Sequence, residues 1–347
     1  MRERPSTTAG EGLQPLNAAV IAARSTKIIA VKAIQITEFG GPEVLQHTDV
    51  PDPEPADGEV LVRVARSGIN FADTHQRRDD YLAPAQLPLI PGGEVSGTTP
   101  DGNRVAALVA GGGYAELIAV PEGHLVPVPD EVSDDQAAAL LLQGLTAWAT
   151  LKISAHLEAG ECVVVHAAAG GVGTLAVQLA KRMGAGRVIG IASSAQKRAL
   201  AERLGADATV DSNADDLEAA ILEANDGKPV DVVLEMAGGR AFDASYAALA
   251  PFGRLVTYGI ASREPNSVVT GDLMRTTRGV IGFWLIQLVA HRPDLLREGI
   301  TELLGAVARG ELEIVIGDVY PLSEAARAHE DIQARGTQGK LLLDPSN

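Results

Sequence analysis

The chain has 347 residues, 46% hydrophobic and 21% charged, an ordinary composition for a soluble α/β protein with room for two separately cored domains. A formal charge of −16, spread along the sequence, argues against nucleic acid as a partner, because phosphate binding needs a basic surface. The single cysteine, Cys162, excludes an internal disulfide and a thiolate zinc cluster and suits a reducing cytoplasm, and no apolar run reaches membrane-spanning length.

Residues 1–30 read as a disordered extension. Arg2, Arg4, Arg24 and Lys27 flank an apolar patch, Ala18 to Ala23, that is too brief and interrupted for a secretory signal. The first strand is expected at Val31 to Ile36, and from there to about Ala149 the chain is β-rich. Glu59 to Arg66 alternates, with Val60, Val62 and Val64 on one face. Gly40-Gly41-Pro42, Pro91-Gly92-Gly93 and Gly111-Gly112-Gly113 punctuate short strands and point to a small barrel. Ser133-Asp134-Asp135-Gln136 is a capping box opening an apolar helix, Ala137 to Leu142.

The rhythm then changes. Cys162 to Val165 is an unbroken apolar run, as expected of a central parallel strand buried on both faces. The turn Ala167-Ala168-Ala169-Gly170-Gly171-Val172-Gly173 follows, and a helix is expected from Thr174 to Met183. In this context glycines let the backbone close on a pyrophosphate, and the helix start attracts negative charge. The alternative is a tight strand–helix turn with no ligand. Strands at Val188 to Ala192, Ala208 to Val210, Val230 to Leu234 and Arg254 to Tyr258 alternate with helices of about ten residues, which means βαβ units and a doubly wound parallel sheet. Beyond Phe283, helices at Pro293 to Val307 and Ser323 to Ala334 and a last strand, Lys340 to Leu343, fold back on the first domain.

The end of the second strand of such a sheet selects the nicotinamide cofactor. Here it runs into Ser193-Ser194-Ala195-Gln196-Lys197-Arg198, with no carboxylate to hold a ribose hydroxyl pair. Two serine donors and the Lys197 charge favour NADPH over NADH. Alternatively, Ser194 caps the helix and Lys197 is a solvated lysine.

KAIQITEFGGPEVL at 32–45, GINFAD at 68–73, IPGGEVSG at 90–97, GGYAEL at 112–117, LLQGLTAW at 141–148 and AAAGGVG at 167–173 together resemble the medium-chain dehydrogenase/reductase superfamily, in its zinc-free quinone oxidoreductase (ζ-crystallin-like) branch. The resemblance implies an α/β chain in which a GroES-like β-barrel catalytic domain (31–144 and 286–347) surrounds a Rossmann domain (145–285), with the active site in the cleft. It implies NADPH contacts at Asn70, Thr146, Ala169, Gly170, Gly171, Val172, Gly173, Ser193, Ser194, Lys197, Gly259, Phe283 and Lys340. A homodimer joined near Ser267 to Thr270 is also implied. Zinc relatives place a cysteine at Asn70 and a histidine at Gly93, so no metal is expected; His75, His124 and His166 read as ordinary polar or core residues.

Without a metal the hydride acceptor must already be electron-poor, a quinone or an activated C=C, and the developing negative charge must meet placed donors. The resemblance puts Tyr81 and Asn70 in that role, with Asn70 and Asp73 alternatively holding the loop as turn residues. Phe283 and Trp284 are read either as cleft lining or as interdomain core. Related quinone reductases carry tyrosines where this chain has His75 and Ser212. Two other readings stand beside the quinone reductase: an enoyl-thioester reductase whose carrier would enter past Arg77 and Arg78, and a non-catalytic NADPH-binding structural or redox-sensing protein.

Overall fold

The structure, a computed structural model, describes residues 30–347, so the reading of the first 29 residues lies outside it. β1 (Ala30–Gln35) and β2 (Gln46–Pro51) form an antiparallel ribbon. β3 (Glu59–Ile69) is long enough to serve three neighbours: it pairs along its length with β6 (Leu117–Pro121), β4 (Glu94–Thr98) and the C-terminal strand. With β5 (Arg104–Leu108) and β7 (Val126–Pro127) these curl into the barrel half. A short helix absent from the sequence expectations, α1 (Phe71–Gln76), leaves the end of β3; at six residues it is too short to show a period.

The capping box is present at α2 (Asp134–Ala149): Ser133 Oγ accepts the Gln136 N–H and Gln136 Oε1 accepts the Ser133 N–H. The helix runs past the expected domain boundary and ends in a π-turn at Ser154. Its 21 residues are long and apolar enough to cross a membrane, which corrects the reading that no run reaches that length, yet 78% of the apolar window is buried inside the protein. It is the central core helix, apolar on every side because it is covered on every side.

The second half is a six-stranded parallel sheet. In chain order come β8 (Cys162–Val165), α3 (Gly171–Arg182), β9 (Arg187–Ala192), α4 (Ala195–Arg203), β10 (Ala208–Asp211), α5 (Leu217–Ala224), β11 (Val230–Glu235), α6 (Arg240–Ala247), β12 (Leu249–Thr257), α7 (Thr270–Thr276) and β13 (Gly279–Gly282). The strand order β10-β9-β8-β11-β12-β13 reverses between β8 and β11, the place where open α/β sheets leave a crevice for ligands. Helix α3 begins at Gly171, three residues earlier than expected, because Gly170 is its extended N-cap. The chain continues through α8 (Leu285–His291) and α9 (Pro293–Ala308), then β14 (Ile316–Pro321), α10 (Ala325–Gln333) and β15 (Lys340–Asp344), and the last two strands return to the barrel sheet. Gly339 N–H donates to Ala169 O at 2.8 Å, so the returning chain touches the glycine turn directly.

Candidate functional site

A cavity of 2180 Å³ opens where the carboxyl ends of β8, β9, β11 and β12 face the end of β3 and α1. Of the residues singled out in the sequence, it is lined by Asn70, Tyr81, Thr146, Ala169, Gly170, Gly171, Val172, Gly173, Ser193, Lys197, Gly259 and Phe283. Ser194 and Lys340 are not on its wall. The glycine turn is a cradle that side chains would fill: a Cβ on Gly171 would collide with the Gln143 amide, and one on Gly173 with the Ala167 carbonyl. Phe283 answers both readings, since it lines the cavity and packs on the main core.

At the outer end, Ser194 is a helix cap, its Oγ accepting the Lys197 N–H at 3.3 Å. Lys197 is not a solvated lysine: its Nζ donates to the Arg335 carbonyl at 2.5 Å, and burial holds its pKa below the usual value. Arg335, unmarked in the sequence, lines the cavity too and donates to Ala261 O at 3.0 Å. Two cations and Ser193 therefore share the rim beyond β9.

The inner end is built on a buried ion pair. Lys340 and Glu94 are 1% and 0% exposed, and the Lys340 ammonium is bonded to Glu94 Oε1. Glu94 Oε2 accepts the Leu142 N–H at 2.8 Å. Asn70 is held between them: its Oδ1 accepts from Lys340 Nζ at 2.7 Å and from Gln143 Nε2 at 3.4 Å, while its Nδ2 donates to Glu94 Oε1 at 2.9 Å and Gly68 O at 3.4 Å. Both amide hydrogens are thus committed to protein acceptors. This corrects the expectation of Asn70 as a ready donor, and Lys340 is a buried support beneath Asn70 rather than a surface for cofactor. Gln143 lines the cavity with its Oε1 buried and unpaired.

Asp73 is the turn residue that one reading made it: its Oδ2 accepts the Asn70 N–H at 2.8 Å and closes the capping box of α1. A chain of hydrogen bonds runs into the same oxygen. Arg77 Nε donates to His329 Nδ1 at 3.3 Å, which leaves the ring hydrogen on Nε2, 3.1 Å from the Tyr114 oxygen; Tyr114 donates in turn to Asp73 at 2.9 Å. Burial pushes His329 down to about 3 and Asp73 up to about 6. Arg77 is fully buried and also donates to Gly40 O and Gln333 Oε1, so it is no entrance for an acyl carrier.

Tyr81 presents the opposite case. Trp284 Nε1 donates to its phenol oxygen at 3.2 Å, and an indole N–H can only donate; among the described residues no acceptor takes the phenol hydrogen. Burial raises its pKa further, keeping it a neutral donor. Phe71, His75, Tyr81 and Trp284 form one aromatic wall with successive centroids 5.5, 6.2 and 6.2 Å apart. His75 Nδ1 lies 2.8 Å from Asp80, which pairs with Arg263 at 3.2 Å and so ties the two halves together across the cleft. His75, His124 and His166 all line the cavity, a gathering their spacing did not show; among the described residues no three His, Cys, Asp or Glu form a metal-holding group.

Residues 56–130 match the alcohol dehydrogenase GroES-like domain family, and residues 171–301 the family described as zinc-binding dehydrogenase. A quinone oxidoreductase of Pseudomonas aeruginosa is 38% identical over 90% of this chain and 99% of its own length, and one from Mus musculus 33% over 90% and 97%. Among solved structures, the Thermus thermophilus quinone oxidoreductase, determined alone and with NADPH, superposes with a TM-score of 0.82 at 40% identity, covering 90% of this chain and 99% of that one. The Escherichia coli quinone oxidoreductase bound to NADPH gives 0.85 at 33%, covering 90% and 100%. On these matches, over a chain with the barrel half, the 3-2-1-4-5-6 sheet and the glycine turn described above, the chain belongs to the quinone oxidoreductase branch of the medium-chain dehydrogenase/reductase superfamily.

Proposed function

We propose that this protein is an NADPH-dependent oxidoreductase that reduces a quinone in the cavity beside Tyr81. The observation that carries the reading is the meeting of two features in one cavity: a glycine cradle at a helix start and a phenol whose hydrogen no acceptor among the described residues takes. The residues fit the cofactor. Gly170 to Gly173 leave room for a pyrophosphate at the start of α3, and Ser193, Lys197 and Arg335 offer donors and charge to a 2′-phosphate, with no carboxylate at the end of β9. NADPH supplies the hydride. Tyr81 donates a hydrogen bond to the substrate oxygen on which negative charge accumulates, and its raised pKa keeps that proton in place at neutral pH. Asn70, with its amide committed, fixes the floor and the start of α1.

The second copy in the homodimer would dock along β13, the edge strand of the parallel sheet, near the exposed Val269 and Met274. Light scattering at micromolar concentration tests it, and a monomer counts against it. The buried thiol of Cys162 fits a reducing compartment, and the reading places the protein in the cytoplasm.

The test of function is cofactor oxidation against a panel of quinones, 2-alkenals and crotonyl-thioesters, with NADPH and NADH in parallel. Quinones should be reduced, and NADPH preferred by about 1–3 kcal/mol, the scale of charge-assisted hydrogen bonds; Lys197→Glu should erase that gap. Turnover of thioesters alone would overturn the quinone assignment, and equal affinity for the two cofactors would overturn the role of Lys197.

A further inference from the structure

The cavity, 2180 Å³, must take both a dinucleotide and a substrate. Its part beyond Tyr81 has a definite lining. Trp284, which holds Tyr81, is the N-cap of α8, and from there the wall continues along α8 into α9. On α9, Leu296, Ile300 and Leu304 recur every four residues as an apolar stripe on the cavity wall, with Arg297 and Thr301 beside it. Eight residues of helix carry it about 12 Å. Leu125, on the barrel half, lines the same space. At the edge stand Leu82 and Ile286, both lining residues, 66% and 51% exposed.

Taking the site as a quinone reductase, we infer that its substrate is a quinone bearing a long apolar tail, alkyl or prenyl, laid along the α9 stripe while the ring meets Tyr81. A tail anchored to the head group is the occupant that the geometry favours, because the stripe and the phenol share one continuous cavity. Of Arg77 and Arg78, which would have received the carrier of a thioester, Arg77 is buried away from it.

The experiment is a series of quinones with one head group and tails of increasing length, assayed for kcat/KM with NADPH. It is paired with direct binding followed by quenching of tryptophan fluorescence in cofactor-free protein. Each buried methylene is worth about fourfold in affinity at the usual transfer free energy, so the gain from none to a tail of several carbons should exceed about tenfold and fall mainly in KM. It should stop growing once the stripe is covered. In Ile300→Phe, which fills the groove, and in Leu296→Gln, which makes it polar, tailed and tail-less quinones should converge; thermal melts check that both variants fold. Reduction of short quinones with no gain from the tail, in rate or in binding, would overturn the inference and leave the functional reading standing. No turnover of any quinone would overturn both.

Discussion

At the outer corner of the cavity the wall is one short stretch of chain, Ala167 to Gly173 without Ala168, whose shape depends on side chains being absent at Gly171 and Gly173. At the inner corner the wall residues Asn70 and Gln143 rest on the buried pair Glu94 and Lys340, Asn70 and Lys340 being 270 residues apart, and each depends on the others being present. The two corners are therefore vulnerable in opposite ways. Added atoms should damage the first, and removed atoms the second.

The largest effect is expected at the inner corner. Lys340→Met leaves Glu94 charged and buried with no counter-ion and should cost about 3–5 kcal/mol in chemical denaturation. Removing both charges, in Lys340→Met with Glu94→Gln, should recover much of the loss. A single variant as stable as the parent would break the comparison.

Tyr81→Phe comes next. Since no acceptor among the described residues takes the phenol hydrogen, kcat and kcat/KM should fall together, by about tenfold to a thousandfold, with NADPH affinity and melting temperature unmoved. Retained turnover would remove Tyr81 from the chemistry. At the outer corner, Gly173→Ala drives a methyl into the Ala167 carbonyl and should destabilise by about 1–3 kcal/mol, while NADPH affinity measured by calorimetry weakens.

A last contrast separates the corners by pH. His166, at the start of the glycine turn, and His329, in the chain leading to Asp73, are pushed by burial down to about 4 and about 3. The unfolded chain binds protons on both below the ordinary histidine value of 6.5, where the folded protein does not. Stability should thus fall on acidification by about 1.4 kcal/mol per pH unit for each histidine. Asp73 works against them, because its folded value of about 6 lies above its ordinary 3.8, so between those values its proton favours the fold. Melting temperature against pH should flatten in His166→Gln and in His329→Gln separately; an unchanged slope in either would mean that its histidine is protonated in the fold.

What the sequence determined by itself was whatever depends on neighbours a few residues away. The all-buried strand Cys162–Val165, the glycine turn, the capping box at Ser133 and the strand–helix alternation all fall where a local reading puts them, because burial on two faces, tight turns and caps are written in consecutive residues. Glu94 and Gln143 stood inside motifs that carry the family resemblance, yet nothing local told what they hold. Arg77 beside Arg78 read as an exposed basic pair, and only the approach of α10, some 250 residues on, buries it against His329 and Gln333. Asn70 and Tyr81 looked like equal donors until the fold brought Glu94 and Lys340 to one and Trp284 to the other. A side chain's hydrogen-bonding capacity is fixed by its chemistry, but whether any of it is left for a ligand is settled by partners that only long-range packing delivers.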